Sequence, residues 1–236
     1  MSNQELLHNK KSVPFEFNKV AEKYDLATFL SQGYQKDLFL SVKRMNLKGN
    51  EYLADLCCGT GKSTYACTKF LGNGKILAID NSAEMLKIAR SRFANNNVKF
   101  VQEDIMGLDY PENTFDAIFM AYGIRNMPDY NDCLLILKKI LKPGAVICFH
   151  EYSLKKNVFS KLYWKIMGYL FIIPISTLLS GTSRIYKYLV KSVLAFPSPN
   201  TFQNILKSNG FENVQRLSMP SWRKPILHTF LAYNPK

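Results

Sequence analysis

The sequence predicts an α/β fold: a doubly wound, mostly parallel sheet of seven strands with an inserted helical lid. Three observations carry that prediction. Short apolar runs alternate with helix-length segments between residues 52 and 151, the pattern of strands joined by crossover helices. The first apolar run leads into a glycine-rich turn, and the second ends in Asp80, nineteen residues after the last glycine of that turn. Acidic and small residues recur at the carboxyl ends of these runs, where the loops of a doubly wound sheet converge on a ligand.

The first dozen residues are polar and lack the apolar stretch of a signal peptide, so residues 1–14 are expected to be a flexible tail on a single domain spanning 15–236. Tyr52 to Leu56 reads as a buried first strand. The turn that follows, Cys57-Cys58-Gly59-Thr60-Gly61, has two glycines that permit a sharp change of direction and a close approach of ligand to backbone. Lys62 to Leu71 reads as a helix and Lys75 to Ile79 as the second strand. Val98 to Val101 is the third strand and runs into Gln102-Glu103-Asp104-Ile105. Thr114 to Met120 is the fourth, followed by a helix near Asn131 to Leu141, a Lys142-Pro143-Gly144 turn, and a fifth strand from Ala145 to Glu151. Residues 155–195 then interrupt the alternation as the inserted lid. Asn200 to Ser208 reads as a helix stopped by Asn209-Gly210. Phe211 to Leu217 and Leu227 to Ala232 form an antiparallel pair that completes the sheet.

The turn after the first strand carries chemistry. It has no third glycine three residues on, where Thr64 stands, and no GxxxxGK[ST] spacing, which argues against a phosphate cradle and against a dinucleotide. S-adenosylmethionine suits it better, having no pyrophosphate and carrying an ammonium that Asp55 at the head of the loop can meet. Asp80 is placed to accept hydrogen bonds from a ribose diol. Asp104 can accept from an adenine amino group, with Ile105 flanking the ring. Glycines after a first strand are common to doubly wound proteins; it is their combination with Asp55, Asp80 and Asp104 that points to a nucleoside.

The 236 residues carry a formal net charge of +13, and 47% of them are hydrophobic. A basic surface suits nucleic acid, anionic lipid or plain solubility. No RNA-binding module is evident, and aromatics are not interleaved with the basic residues as a stacking platform requires, so nucleic acid is disfavoured. Between Lys165 and Arg184 lie eighteen residues without a charge, just the length of a membrane span. Pro174, a Ser/Thr-rich end and a position inside the domain count against insertion. Three readings stand: a helix over the mouth of the site, a helix in the membrane interface, and a packed core helix. The five cysteines show no zinc-type spacing and read as reduced small hydrophobes inside the cell, with no metal site expected.

Longer motifs then appear in order: VPFEFNKVAEKYDLATFLSQG, DLCCGTG, AIDNSAEML, VQEDIMGLDYPENTFDAIFMAYGIRNMPD and the LKPG turn. Tyr186-Lys187-Tyr188-Leu189 with Ser192, Phe196 and Pro197 comes last. Over nearly its whole length the chain resembles the UbiE/MenG family of quinone C-methyltransferases, with GIRN and the late YKYL segment the most specific matches. The resemblance implies transfer of a methyl group from S-adenosylmethionine to a ring carbon of a polyprenylated quinol, of demethylmenaquinol or methoxy-benzoquinol type. It implies a cofactor site of Asp55, Gly59, Thr60, Gly61, Asp80, Asn81, Asp104, Ile105 and Ala121. It implies catalytic roles for Arg125, Asn126 and Tyr24: stabilising a developing phenolate, orienting a hydroxyl or water, and relaying a proton. The bland readings are that Arg125 pairs with Asp129 or Glu151, that Asn126 caps the next helix, and that Tyr24 is a packed aromatic. Glu151 is a further candidate for the substrate pocket, whereas His150 reads as structural. Lys62 stands where the family commonly has Asp or Ala, and Ala121-Tyr122 where it has Ser/Gly-Phe. An apolar substrate and a basic rim imply association with the cytoplasmic face of a membrane, and a homodimer is compatible. The competing functions are methylation of another lipid or aromatic molecule, and a scaffold that binds cofactor or quinone without turnover.

Overall fold

The computed structural model describes residues 13–21, 33–93 and 97–236, so Tyr24 and residues 1–12 lie outside it. The strands are β1 (Tyr52–Leu56), β2 (Lys75–Asp80), β3 (Val98–Gln102), β4 (Phe115–Ala121), β5 (Leu141–Tyr152), β6 (Glu212–Ser218) and β7 (Leu227–Tyr233). They form one sheet in the order β3-β2-β1-β4-β5-β7-β6. The first five are parallel, and β7 inserts antiparallel between β5 and β6. In the central strands both faces are covered: Leu53, Ala54, Leu56, Ile118, Phe119 and Met120 have no exposed surface. Burial on both sides is why these strands read as continuous apolar runs.

Five of the described helices divide between the two faces, and the others pack together with the insert. Alongside α1 (13–21) the helices are α2 (Tyr34–Arg44), α3 (Lys62–Thr68), α4 (Ala83–Arg92), α5 (Tyr130–Ile140), α6 (Val158–Ile166), α7 (Ile173–Ser180), α8 (Arg184–Ala195) and α9 (Pro199–Ser208). One face packs Leu134 and Leu137 of α5 and Phe202 of α9 against Ala54, Ile118 and Phe230. The other packs Leu38 and Val42 of α2, Ala66 of α3 and Leu86 of α4 against Leu53 and Phe119. The chain leaves β1 toward β2 on one side and returns to β4 on the other, so their carboxyl ends open the crevice of a topological switch point.

The insert runs helically through Pro174. A π-helical stretch, Met167–Ile172, joins α6 to α7 and makes one continuous rod from Val158 to Ser180. Proline is tolerated because it falls in the first turn of α7, after the wide turn has altered the hydrogen-bond ladder. The packed-core reading does not hold, since only 17% of the rod's most apolar window is buried. Its inner side rests on α8, where the Trp164 indole Nε1 donates to the Val190 carbonyl at 3.1 Å. Gly168 permits that approach: a Cβ there would meet Val190 Cγ2 at 2.5 Å.

Candidate functional site

Three left-handed residues, Cys57 (φ 58°), Gly59 (φ 55°) and Gly61 (φ 85°), wind the turn after β1. Gly61 N donates to the Cys58 carbonyl at 3.0 Å and Cys58 N to Ile79 O at 3.1 Å, pinning the turn to β2. At Gly61 a Cβ would stand 2.8 Å from Phe93 Cε2; at Gly59 it would meet nothing within 4 Å. The turn is therefore packed behind Gly61 and open in front of Gly59, the cradle that a close-approaching ligand needs.

Asp55 is wholly buried and absent from the cleft wall. Its Oδ2 accepts hydrogen bonds from Ser63 Oγ (2.8 Å) and Thr64 Oγ1 (2.7 Å), tying the start of α3 back to β1. Burial pushes its carboxyl up to about 7 against the pull of those hydroxyls, and Oδ1 has no partner among the described residues. The structure thus places Asp55 behind the turn as its anchor, one layer from the ammonium-binding position that the sequence suggests.

Asp80 is on the wall. Gly59 N donates to its Oδ2 and Ser82 N to its Oδ1, both at 2.8 Å, which fixes the carboxylate while leaving lone pairs for a diol. Burial raises its pKa, opposed by these backbone donors. Asn81 Nδ2 donates to the exposed Asp104 at 3.3 Å, joining the ends of β2 and β3. Ile105 is buried in the core beneath them. Asp104, Asn81 and Ile105 sit beside the cleft rather than on its wall.

The cleft holds about 610 Å³ of empty space, its open mouth included. Thr60 and Ala121 line it as the sequence suggests, with Arg125 and Asn126 at one end. Both come from a short turn, Ile124–Asn126, after β4. Tyr122 is left-handed (φ 56°), and Gly123 lies so close to Cys57 that a Cβ would come within 2.7 Å of its sulfur. Arg125 Nη1 donates to Tyr122 O and to Glu151 Oε1, each at 2.8 Å, in a buried ion pair. Burial raises Glu151, the Arg125 charge pulls it back, and Oε2 has no partner among the described residues. The pairing foreseen as the bland reading is real, yet Arg125 still forms part of the wall. Asn126 is held at both ends of its amide: Nδ2 donates to Tyr122 O at 3.2 Å, and the Tyr188 hydroxyl of α8 donates to Oδ1 at 3.0 Å.

Several wall residues escaped the sequence reading. Phe17, Tyr34 and Met85 line the cleft from α1, α2 and α4; only tertiary packing brings those helices there. Tyr34 stacks on Tyr122 (5.4 Å, 18°) and lies under the Lys62 ammonium at 5.4 Å, which holds that cation on an aromatic face. The Tyr122 hydroxyl is hydrogen-bonded to His150 Nε2 at 2.9 Å. His150 Nδ1 meets Ser41 Oγ at 2.8 Å, Ser41 meets Thr229 Oγ1 at 2.8 Å, and Arg44 Nη1 donates to Thr229 Oγ1 at 2.7 Å. Burial pushes His150 down to about 3, so near neutrality it is an uncharged strut that holds Tyr122.

This geometry has relatives. The model of the ubiE/COQ5 methyltransferase family matches residues 5–221. Demethylmenaquinone methyltransferase of Staphylococcus aureus (strain JH9) is 31% identical over 213 residues, 88% of each chain. Among solved structures, a SAM-dependent methyltransferase of Thermotoga maritima, described as a possible histamine N-methyltransferase, superposes with a TM-score of 0.68 at 16% identity, over 94% of this chain and 99% of that one. Haemonchus contortus phosphoethanolamine N-methyltransferase 2, solved with S-adenosyl-L-methionine, gives 0.65 at 15% identity, over 86% of this chain and 53% of that one. With the open Gly59 cradle and the fixed Asp80 carboxylate of a nucleoside site, the chain belongs to the ubiE/COQ5 methyltransferase family and is an S-adenosylmethionine-dependent methyltransferase.

Proposed function

We propose that the protein methylates a ring carbon of a polyprenylated quinol, of the demethylmenaquinol or methoxy-benzoquinol type, at the cytoplasmic face of a membrane. The observation that carries this reading is the wall formed by Arg125 and Asn126, each fixed by a second residue, beside the cofactor cradle. The relatives named demethylmenaquinone methyltransferases support it.

Gly59, Thr60, Gly61, Asp80 and Ala121 hold the cofactor, with Asn81 and Asp104 beyond them. When bound, S-adenosylmethionine supplies a methyl group already activated by a cationic sulfonium. The chain's own work is alignment, exclusion of water and proton handling. The Arg125 guanidinium stabilises negative charge on a quinol oxygen, which makes the neighbouring ring carbon more nucleophilic. Asn126 orients the hydroxyl or a water beside it. Glu151 holds Arg125 in place, and Tyr188 sets the amide of Asn126. Tyr24 is proposed as a proton relay from the segment that precedes α2.

Mass spectrometry of the purified protein with S-adenosylmethionine and chemically reduced prenyl quinones is the test. One methyl added to one quinol, with turnover at least about a hundred-fold lower for Arg125→Ala, is the expected result; general acid–base and charge-stabilising groups typically contribute on that scale. Cofactor binding with no product from any quinol overturns the proposal.

A further inference from the structure

The rod from Val158 to Ser180 presents an apolar surface to solvent along its length. Val158 is 77% exposed, Phe159 83%, Leu170 66% and Leu178 87%. Scattered exposed apolar residues are ordinary; a continuous exposed row marks a surface that something covers. The inner stripe, Ser160, Trp164, Gly168, Ile173 and Ser176, is already buried on the protein. The outer stripe is therefore surplus to the fold.

Charge says what covers it. From residue 152 to residue 211 there is no Asp or Glu, while Lys155, Lys156, Lys161, Lys165, Arg184, Lys187, Lys191 and Lys207 fall in that span. Lys155, Lys156, Lys161 and Lys165 are exposed at one end of the rod, Arg184 is exposed just past the other, and Lys187 and Lys191 are exposed on α8, which runs back alongside the rod. An apolar row between basic ends matches an anionic lipid surface, with acyl chains under the row and headgroups at its ends. A second copy of the chain would set like charges against each other. A membrane-crossing rod would place Lys161 and Lys165 at its outer edge and strip the inner stripe from α8.

We propose that the rod Val158–Ser180 docks the enzyme on an anionic phospholipid bilayer, lying in the boundary between headgroups and acyl chains. The use of such docking rests on the quinol reading, because a prenylated substrate is dissolved in the bilayer; the evidence for docking does not. The same rod packs on α8, which carries Tyr188 to Asn126, so the docked face and the candidate active site are neighbours through one helix.

Vesicle sedimentation tests it, with phosphatidylglycerol–phosphatidylcholine vesicles beside pure phosphatidylcholine. The proteins are the wild type, Leu170→Glu/Leu178→Glu and Lys161→Gln/Lys165→Gln. All are also tested for thermal melting, mass by light scattering, and turnover of a tail-less, water-soluble quinol. The wild type is expected to sediment with the anionic vesicles and to be released by alkaline carbonate. The leucine variant should bind at least about ten-fold more weakly, two buried leucines being lost, with unchanged melting because both sites face solvent. Each lysine removed should weaken binding about five-fold on anionic vesicles only. Wild-type protein that ignores every vesicle, a leucine variant that binds equally well, resistance to carbonate, or a wild-type dimer that the leucine change dissociates each overturns the proposal. Docking without turnover of any quinol would instead sink the proposed reaction and leave docking standing.

Discussion

Arg125 owes its position to Glu151. The guanidinium sits on a three-residue turn with a carboxylate of β5 beneath it, and the pair is buried. Removing one member of such a pair strands the other, at about 3–5 kcal/mol. Glu151→Ala should therefore lower stability by about that amount, whereas Glu151→Gln keeps the shape and one acceptor and should remain folded. In the Gln variant kcat should fall while the KM for S-adenosylmethionine holds, because Glu151 is absent from the cleft wall. A rise in that KM without a fall in kcat would contradict a positioning role. His150 offers a test by pH. Its folded pKa of about 3 lies below the ordinary 6.5, so its stabilisation is present above 6.5 and lost as pH falls through that window. At pH 5 the unfolded chain gains about 2 kcal/mol by protonating this histidine, at about 1.4 kcal/mol per unit. His150→Gln should be less stable than wild type at pH 7.5, and the gap should narrow by about that amount at pH 5. A gap that does not change with pH would mean that His150 titrates normally.

At the scale of elements, the strands were legible and several helices were not. Buried on both faces, β1, β2 and β4 show up as apolar runs between glycine and charge. By contrast α2 and α4 interleave their apolar residues with Lys, Arg and Asp or Glu, so no continuous apolar run marks them, and they are held as helices because the sheet offers them a face to cover. The cradle was legible because glycine is a backbone requirement written in the sequence. The direction Asp55 faces was not legible, since an acidic residue at a strand end reads alike whether it meets the ligand or, as its Oδ2 does, the helix behind the turn. Phe17, Tyr34 and Met85 carry no local signal at all. Pro174 did not announce the π-helical stretch that precedes it and lets the helix run on. The join of that rod to α8 rests on Gly168, and Gly168→Val should destabilise the protein by about 1–3 kcal/mol through overpacking against Val190. Because α8 also carries Tyr188, the same change should reduce turnover of a soluble quinol in the protein that remains folded. Full activity in that fraction would show that Asn126 does not depend on α8.

The molecule as a whole joins two halves of different character: a sheet whose switch point opens the proposed cofactor site, and an insert that turns an apolar, acid-free surface outward. Only the first should respond to cofactor. A ligand that binds the folded state alone, at a hundred times its Kd, stabilises by about 2.7 kcal/mol. For a chain of this size each kcal/mol moves Tm by about 2–4 °C, so saturating S-adenosylmethionine should raise it by about 5–11 °C. Asp80→Asn keeps only one of the two oxygens that accept from Gly59 N and Ser82 N and loses the charge on the cleft wall, and should forfeit most of that rise. Arg125→Ala should keep it, because in the proposed reaction Arg125 serves the methyl acceptor rather than the donor; so should Leu170→Glu/Leu178→Glu, which lies on the far side of α8. If Arg125→Ala abolished the rise and Asp80→Asn left it intact, the two ends of the cleft would be assigned the wrong way round. Differential scanning fluorimetry reads this without turnover, and so separates a failure to bind the donor from a failure to methylate.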